Sequence, residues 1–170
     1  DDRYWAPAEI WETTGDATAL AETEKSSKLM NIRQDWDWSD VQNLGVYTYL
    51  LSAREGRDPE RVETLTRQVI SQGDAMATTA ESHGYGRSLG PTYYWGINGI
   101  IARSVMNFTV ASRLGSSDEQ KARYRGAAGY QLDRSNVVVT DPTDPSRSIL
   151  VDGQRTNGIG LGLGGKLTPG

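Results

Sequence analysis

Residues 83–103 read HGYGRSLGPTYYWGINGIIAR, a loop rich in Gly that runs into an apolar helical pattern. The loop holds the only His of the chain, and its end carries Tyr93, Tyr94 and Trp95. Apolar residues then recur at helical spacing as far as about Leu114. The pattern predicts a buried helix over about 93–114. The aromatic residues at its start have two interpretations: they anchor the top of the helix, or they contact a ligand.

Five further helices are predicted around this one. Gly15 ends the first, Ser39 or Asp40 caps the third, and Asp58 with Pro59 starts the fourth. The predicted ranges are about 4–14, 16–30, 41–51, 58–80 and 118–132. In the third helix the apolar spacing predicts a buried stripe of Val41, Leu44, Tyr47 (or Thr48) and Leu51.

Short loops between these helices indicate antiparallel pairs, as in a bundle, a solenoid or part of a helical barrel. The residues show no internal repeat, which disfavours the solenoid. We therefore expect an all-α portion over 1–133, followed by an irregular or extended tail over 134–170. The tail contains a β-like run, NVVVT, and a Gly-rich end, GIGLGLGG, that no helix follows, so a phosphate-binding loop is not predicted.

Composition excludes several classes of protein. The net charge of −4 and the pI near 5.0 argue against a nucleic-acid partner, which requires a basic face. No apolar run has the length of a membrane span. The chain has no Cys, which excludes disulfides and Cys-based zinc sites, and its single His cannot form an ordinary transition-metal site. The abrupt start at Asp1 suggests a mature or truncated N-terminus.

An acidic loop, DWDWSD, occupies residues 35–40 before the third helix. Three interpretations stay open for its carboxylates. Two of them resemble the acid and base of a glycosidase, several together suit Ca²⁺, and a single Asp caps a helix. Spacing alone favours capping. Asp1 and Asp2 form a second acidic pair, which the N-terminus of the first helix is enough to explain.

Three stretches together resemble glycoside hydrolase family 9, the cellulases, in their endoglucanase-like branch. They are DDRYWAPAEIWETTGD (1–16), DWDWSDVQNLGVYTYLLSAREGRDP (35–59) and HGYGRSLGPTYYWGINGIIARSVMN (83–107). The match runs in order over roughly 1–132. The resemblance implies part of an (α/α)₆ barrel, inverting hydrolysis of β-1,4-glucosidic bonds and a secreted protein.

The resemblance assigns no catalytic residue within the chain. It places the family's catalytic Asp pair upstream of Asp1 and its catalytic Glu beyond Leu132. The sequence there, DPTDPSRSILVDGQRTNGIGLGLGG, contains neither His nor Glu. Catalysis by Asp35 or Asp37 instead is the lesser alternative.

Binding positions do carry over from the family. The resemblance implies a structural calcium ion held by Asp1, Asp2 and Asp40. It also implies that sugars stack on Trp residues at two places in the cleft, the DWDWSD loop and the YYWG stretch. The residues assigned to substrate binding are Trp38 (or Trp36), Trp95, Tyr94, Asn98, His83 and Arg87. His83, Tyr85 and Arg87 belong to one motif of this branch, and the resemblance gives none of them an individual role.

Two other functions stay open, a non-catalytic glycan-binding module and a helical interaction protein. The expected partner is a β-glucan. Six helices of a twelve-helix barrel expose apolar faces, so we also expect packing against remaining segments of a catalytic domain, or self-association.

Overall fold

The computed structural model describes residues 2–27, 31–36, 39–84, 86–91, 96–141 and 144–152. Six helices are followed by one β-hairpin within these residues. None of the described helices combines the length and the apolar character that a bilayer crossing requires. The elements are α1 (Asp2–Thr14), α2 (Ala17–Ser27), α3 (Gln42–Leu51), α4 (Pro59–Ser82), α5 (Ile97–Leu114), α6 (Asp118–Ser135), β1 (Asn136–Asp141) and β2 (Asp144–Asp152).

Helix α4 begins as its sequence predicts. The Asp58 carboxylate accepts hydrogen bonds from the backbone N–H groups of Glu60 at 2.9 Å and Arg61 at 3.5 Å. Pro59 takes the first helical position, where its missing N–H leaves no hydrogen bond unmade.

Two predicted helix starts were wrong. Helix α5 begins at Ile97 and not near Tyr93, because Gly96 has a φ of 78°, outside the helical region. Helix α3 has Val41 at its N-cap position, and no side chain there bonds to the first turn. The Gln42 amide donates to the Asp40 carboxylate, but at a long 3.5 Å. Neither Ser39 nor Asp40 therefore occupies the cap position.

The structure describes part of the segment 134–170, which was expected to be irregular or extended. Helix α6 extends to Ser135, and strands β1 and β2 pair antiparallel, with Val138 opposite Leu150. The β-branched run of β1 (Val137–Thr140) and the residues Ile149 and Val151 of β2 favour this pairing. Residues 153–170 lie outside the described part.

Helices that follow one another along the chain alternate in direction, so alternate helices run parallel. Contacts from Tyr4 to Gly45 and from Glu9 to Thr48 show that α1 and α3 run parallel. Helices α4 and α5 are antiparallel, because Gly73 faces Ala111 while Met76, further along α4, contacts Asn107. As a result α1, α3 and α5 begin, and α4 and α6 end, at the same end of the molecule.

The core is built from residues of α1, α3, α4, α5 and α6. The rings of Trp11 and Tyr49 pack with centroids 5.7 Å apart. The predicted stripe on α3 was partly wrong, since Leu51 is 38% exposed while Asn43 and Val46 are fully buried. The buried face of α3 includes Asn43 and Gly45, and the spacing of apolar residues does not identify a polar residue or a glycine as buried. Further buried members are Tyr4, Leu65, Val69, Met76, Phe108 and Tyr124.

An apolar groove remains open on the outer side of α1, α3 and α5. Its volume is ≈ 420 Å³, and it is bordered by Trp5, Leu51 and Met106, which are 36%, 38% and 41% exposed. The described helices thus present an apolar surface of the kind expected of an incomplete barrel.

Candidate functional site

Two loops meet at the end where α3 and α5 begin. The first joins α2 to α3 and is described over 31–36 and 39–41; the second joins α4 to α5 and is described over 83–84, 86–91 and 96. A polar cavity of ≈ 500 Å³ lies between them. Its lining residues include Arg33, Gln34 and Asp35 from the first loop and Ser88, Leu89, Gly90 and Pro91 from the second.

Two buried carboxamide side chains, those of Asn43 and Asn107, anchor the first loop to α3 and α5. The Asn107 side chain of α5 accepts hydrogen bonds from Trp36 Nε1 at 2.9 Å and from the Tyr47 hydroxyl at 2.5 Å, and donates to the Arg33 carbonyl at 3.1 Å. Asn43 of α3 pairs with the Arg33 backbone, accepting from its N–H at 3.1 Å and donating to its C=O at 2.8 Å. We call these five residues the Asn107 network.

Burial keeps the Tyr47 hydroxyl a hydrogen-bond donor. It raises the pKa of the Tyr47 phenol above its ordinary value, while the hydrogen bond with Asn43 acts in the opposite direction. The phenol therefore stays protonated at neutral pH and supplies the proton that Asn107 accepts.

Trp36 packs inside the protein. Its side chain is 4% exposed, its indole N–H is bonded to Asn107, and the Arg103 guanidinium lies 6.0 Å from its ring centroid. Arg103 also donates to the Trp36 carbonyl at 2.9 Å. A ring so enclosed offers no open face to a sugar, so Trp36, the alternative to Trp38, does not fit the stacking role, and Trp38 remains the prediction.

Two acidic side chains of the first loop, Asp35 and Asp40, contact Arg33. Its guanidinium contacts Asp40 at 2.8 Å and Asp35 at 3.7 Å. Within the described residues, no three His, Cys, Asp or Glu side chains gather closely enough to hold a metal ion. Carboxylate oxygens are nevertheless the donors that Ca²⁺ prefers, and the parallel run of α1 and α3 brings Asp2 and Asp40 to the same end. Asp40 offers a donor of this kind, its partner in the structure is Arg33, and the calcium site stays a prediction.

The second loop is held by α5 and α6. Gln131 of α6 accepts from the Ser88 amide and hydroxyl, both at 3.2 Å, and donates to the Gly86 carbonyl at 2.6 Å. The Ser88 hydroxyl also bonds to that of Ser104 at 3.1 Å. Both loops are thus tied to the helices through buried polar side chains.

His83 and Arg87 lie on the second loop. His83 follows the last turn of α4, where its backbone N–H donates to the Ala80 carbonyl, and it borders a cavity of ≈ 440 Å³ between α4 and α6. Arg87 is 4% exposed. The substrate-binding role assigned to both residues stays a prediction.

Several predicted site residues cannot be placed. Asp1, Asp37, Trp38, Tyr85, Tyr94 and Trp95 lie outside the described residues. Asp2 belongs to α1 and Asn98 to α5, but their side chains are not among those described. Their assigned roles in calcium or substrate binding also stay predictions.

Sequence reasoning missed Asn43, Asn107 and Gln131. Each is a polar residue inside a helix, where spacing rules search for apolar residues. Asn43 and Asn107 interrupt the apolar patterns VQNLGVY and VMNFTV, and both lie in stretches that resemble family 9, but neither signal indicates what they bond to.

An ionic cluster ties α6 to α4 beside the His83 cavity. Arg123 contacts Glu81 at 2.7 Å and Asp74 at 3.0 Å. The hydrogen bond from Arg123 holds the pKa of the Glu81 carboxyl below its ordinary value, and burial opposes this weakly. A carboxyl with a lowered folded pKa adds stability above its unfolded pKa, and that stability is lost as the pH falls through the folded value.

The Glu81→Gln variant should accordingly melt roughly 1–3 °C below the parent at pH 7, since exposed ion pairs contribute little. The difference should shrink as the pH falls through the folded pKa of Glu81 and disappear once Glu81 is protonated in both states. Thermal melts at a series of pH values from 7 downwards measure it. Glu63→Gln is the control, because Glu63 reaches Arg67 only at 4.0 Å. A gap that persisted in acid would rule out the charge as its source.

The six described helices, with two loops that border a polar cavity, form part of an (α/α)₆ barrel, as the solved structures below show. No protein-family model matches the chain. Endoglucanase D of Acetivibrio thermocellus is 43% identical to it over 121 residues. That match covers 70% of this chain and 19% of endoglucanase D, so the chain spans about a fifth of that relative's length.

Solved structures agree with the sequence comparison. A metagenome-derived glycoside hydrolase family 9 endoglucanase superposes with a TM-score of 0.67 at 26% identity, over 78% of this chain and 24% of its own. AaCel9A, solved with cellobiose-like isofagomine, superposes with a TM-score of 0.61 at 24% identity, over 75% and 25% of the two chains, and supports the fold. The resemblance to family 9 is confirmed: the chain is a partial family 9 cellulase-like domain.

Proposed function

We propose that this chain forms part of the substrate cleft of an endo-β-1,4-glucanase and binds cellulose or a related β-glucan. The observation that carries the proposal is the 43% identity to endoglucanase D over 121 residues. The geometry supports it, because the two loops border a polar cavity and are held by buried side chains from three helices. Such anchoring reduces the ordering cost of binding an extended ligand.

The reaction proposed for the parent enzyme is hydrolysis with inversion. A carboxylate activates water on one face of the sugar while a carboxylic acid protonates the leaving oxygen on the other. We assign neither role to a residue of this chain. Its proposed contribution is to bind and orient the glucan, with Trp38 and Trp95 as stacking faces. The anomer first released from a β-1,4-glucan, followed by NMR, tests inversion.

The direct test is release of reducing ends from a soluble β-1,4-glucan by the purified 170-residue chain. No release, together with measurable binding of a cello-oligosaccharide, is the expected result. Release would place working carboxylates within the chain, and Asp35→Asn and Asp37→Asn would then identify them. Absence of both release and binding, from protein shown to be folded, would contradict the proposal.

A glycan-binding module without catalysis is the second candidate. It would keep the two anchored loops as a binding surface and carry out no hydrolysis. It predicts binding with the same dependence on Trp38 and Trp95, and no release of reducing ends by any longer protein that contains this sequence. Activity of the longer protein separates the two candidates.

We also propose that Asp1, Asp2 and Asp40 hold a calcium ion that joins the start of α1 to the segment before α3. Calcium would neutralise the three carboxylates and displace Arg33 from Asp40. The melting temperature should then rise by several degrees with Ca²⁺ and return with a chelator. Asp40→Asn should abolish that rise, whereas Asp35→Asn should keep it; an equal loss in both variants would contradict this ligand set.

The open groove beside Trp5, Leu51 and Met106 supports self-association, or packing against further barrel segments, as a proposal. Light scattering coupled to size exclusion tests it: a monodisperse monomer at high concentration would contradict self-association. Secretion remains a proposal based on family resemblance, and fractionation of the source cells tests it.

A further inference from the structure

We infer that Asn107 is a positioning residue, whose buried carboxamide holds the loop 31–36 in the geometry that glucan binding requires. The loop continues in sequence into Trp38 and Asp40, which carry the proposed stacking and calcium roles. The inference rests on the proposed function: glucan binding would depend on Asn107, although Asn107 lies outside the cleft.

The carboxamide of Asn107 serves the loop at two points. Its oxygen accepts from the Trp36 indole N–H and its nitrogen donates to the Arg33 carbonyl, so one side chain spans most of the loop. Asn107 is 2% exposed. Water cannot readily replace these hydrogen bonds at such a site, and an apolar substitute would leave the loop's polar groups unpaired.

Neighbouring contacts confine the effect to the loop. The Arg33 carbonyl also accepts from Asn43, and the Trp36 carbonyl accepts from Arg103. Loss of Asn107 therefore loosens the loop while other contacts still tether it. Tyr47 matters because its hydroxyl donates to the Asn107 oxygen from α3 and sets the orientation of the carboxamide.

A loosened loop must be ordered again when ligand binds. That ordering opposes binding, so the expected signature is weaker glucan affinity in a protein that remains folded. A residue with a purely structural role would instead lower stability without changing the affinity of the folded fraction.

The test compares Tyr47→Phe and Asn107→Leu with Tyr124→Phe. Tyr124 is a matched control, because it is also buried and its hydroxyl donates to Asp74 at 2.8 Å, between α4 and α6. Cellotetraose affinity is measured well below the melting temperature of every variant. We expect about tenfold weaker binding for Asn107→Leu, a smaller loss for Tyr47→Phe and no change for Tyr124→Phe.

Hydrogen exchange gives a second readout that does not need the ligand. Peptides covering 31–41 should exchange faster in Tyr47→Phe and Asn107→Leu, while those of α6 should not. If the parent binds no cellotetraose, the proposed function fails and exchange alone still decides the positioning role. If Asn107→Leu does not fold, Tyr47→Phe carries the test. Unchanged loop exchange, or affinity losses equal to those of the Tyr124 control, would overturn the inference.

Discussion

Gly45→Ala should lower the free energy of unfolding by about 2–3 kcal/mol. An added Cβ would lie 2.6 Å from Tyr4 Cδ1 and 3.0 Å from the Cα of Trp5. The Tyr4 ring is fully buried and the Cα belongs to the backbone of α1, so neither can yield without moving the helix. Alanine inside a helix normally stabilises it relative to glycine, and the predicted sign is therefore the opposite of the intrinsic one.

Gly126→Ala is the matched control. Gly126 lies in α6 and is exposed, and a Cβ added there would have no atom within 4 Å. This variant should gain about 0.5–1 kcal/mol from the lower entropy of the unfolded chain. Urea unfolding of both variants gives the comparison. Stabilisation by both would mean that α1 and α3 are further apart than the structure places them.

Gln131→Leu should cost about 2–4 kcal/mol, because it leaves the Ser88 amide and the Gly86 carbonyl without the partner they have in the structure. The same change at Gln72 is the control. Gln72 accepts a single hydrogen bond, from Gln34, at a partly buried position that water can reach. Its replacement should alter stability by less than about 1 kcal/mol.

Denaturant unfolding measures both effects, and limited proteolysis reports on the second loop. Cleavage near 86–91 should accelerate in Gln131→Leu and not in Gln72→Leu. Equal stability losses in the two variants would show that Gln131 does not anchor the loop.

Local chemistry made the helices predictable. Asp58 with Pro59 starts a helix and Gly15 ends one through contacts within a few residues, and the structure confirms both. Gly96 shows the limit of this approach. The apolar spacing continues on both sides of Gly96, so it does not indicate the left-handed conformation that places the start of α5 at Ile97.

The candidate site was less predictable because its anchors act over long separations. Trp36, in an acidic loop, resembled a sugar-stacking residue until the structure showed its partner, Asn107, 71 residues away. Asn43 and Gln131 likewise acquire their meaning only when distant loops approach them. The family resemblance located the loops, and it did not show which side chains hold them.

The reach of Asn107 along the chain has a kinetic consequence. Its hydrogen bonds to Tyr47 and Arg33 join positions 60 and 74 residues apart, so they cannot form until α3 and the loop before it have docked against α5. Helices form within microseconds, whereas contacts between remote parts of a chain are slow. During refolding the recovery of helical circular dichroism should therefore precede the burial of Trp36, and the ability to recognise a ligand should be the last property the protein regains.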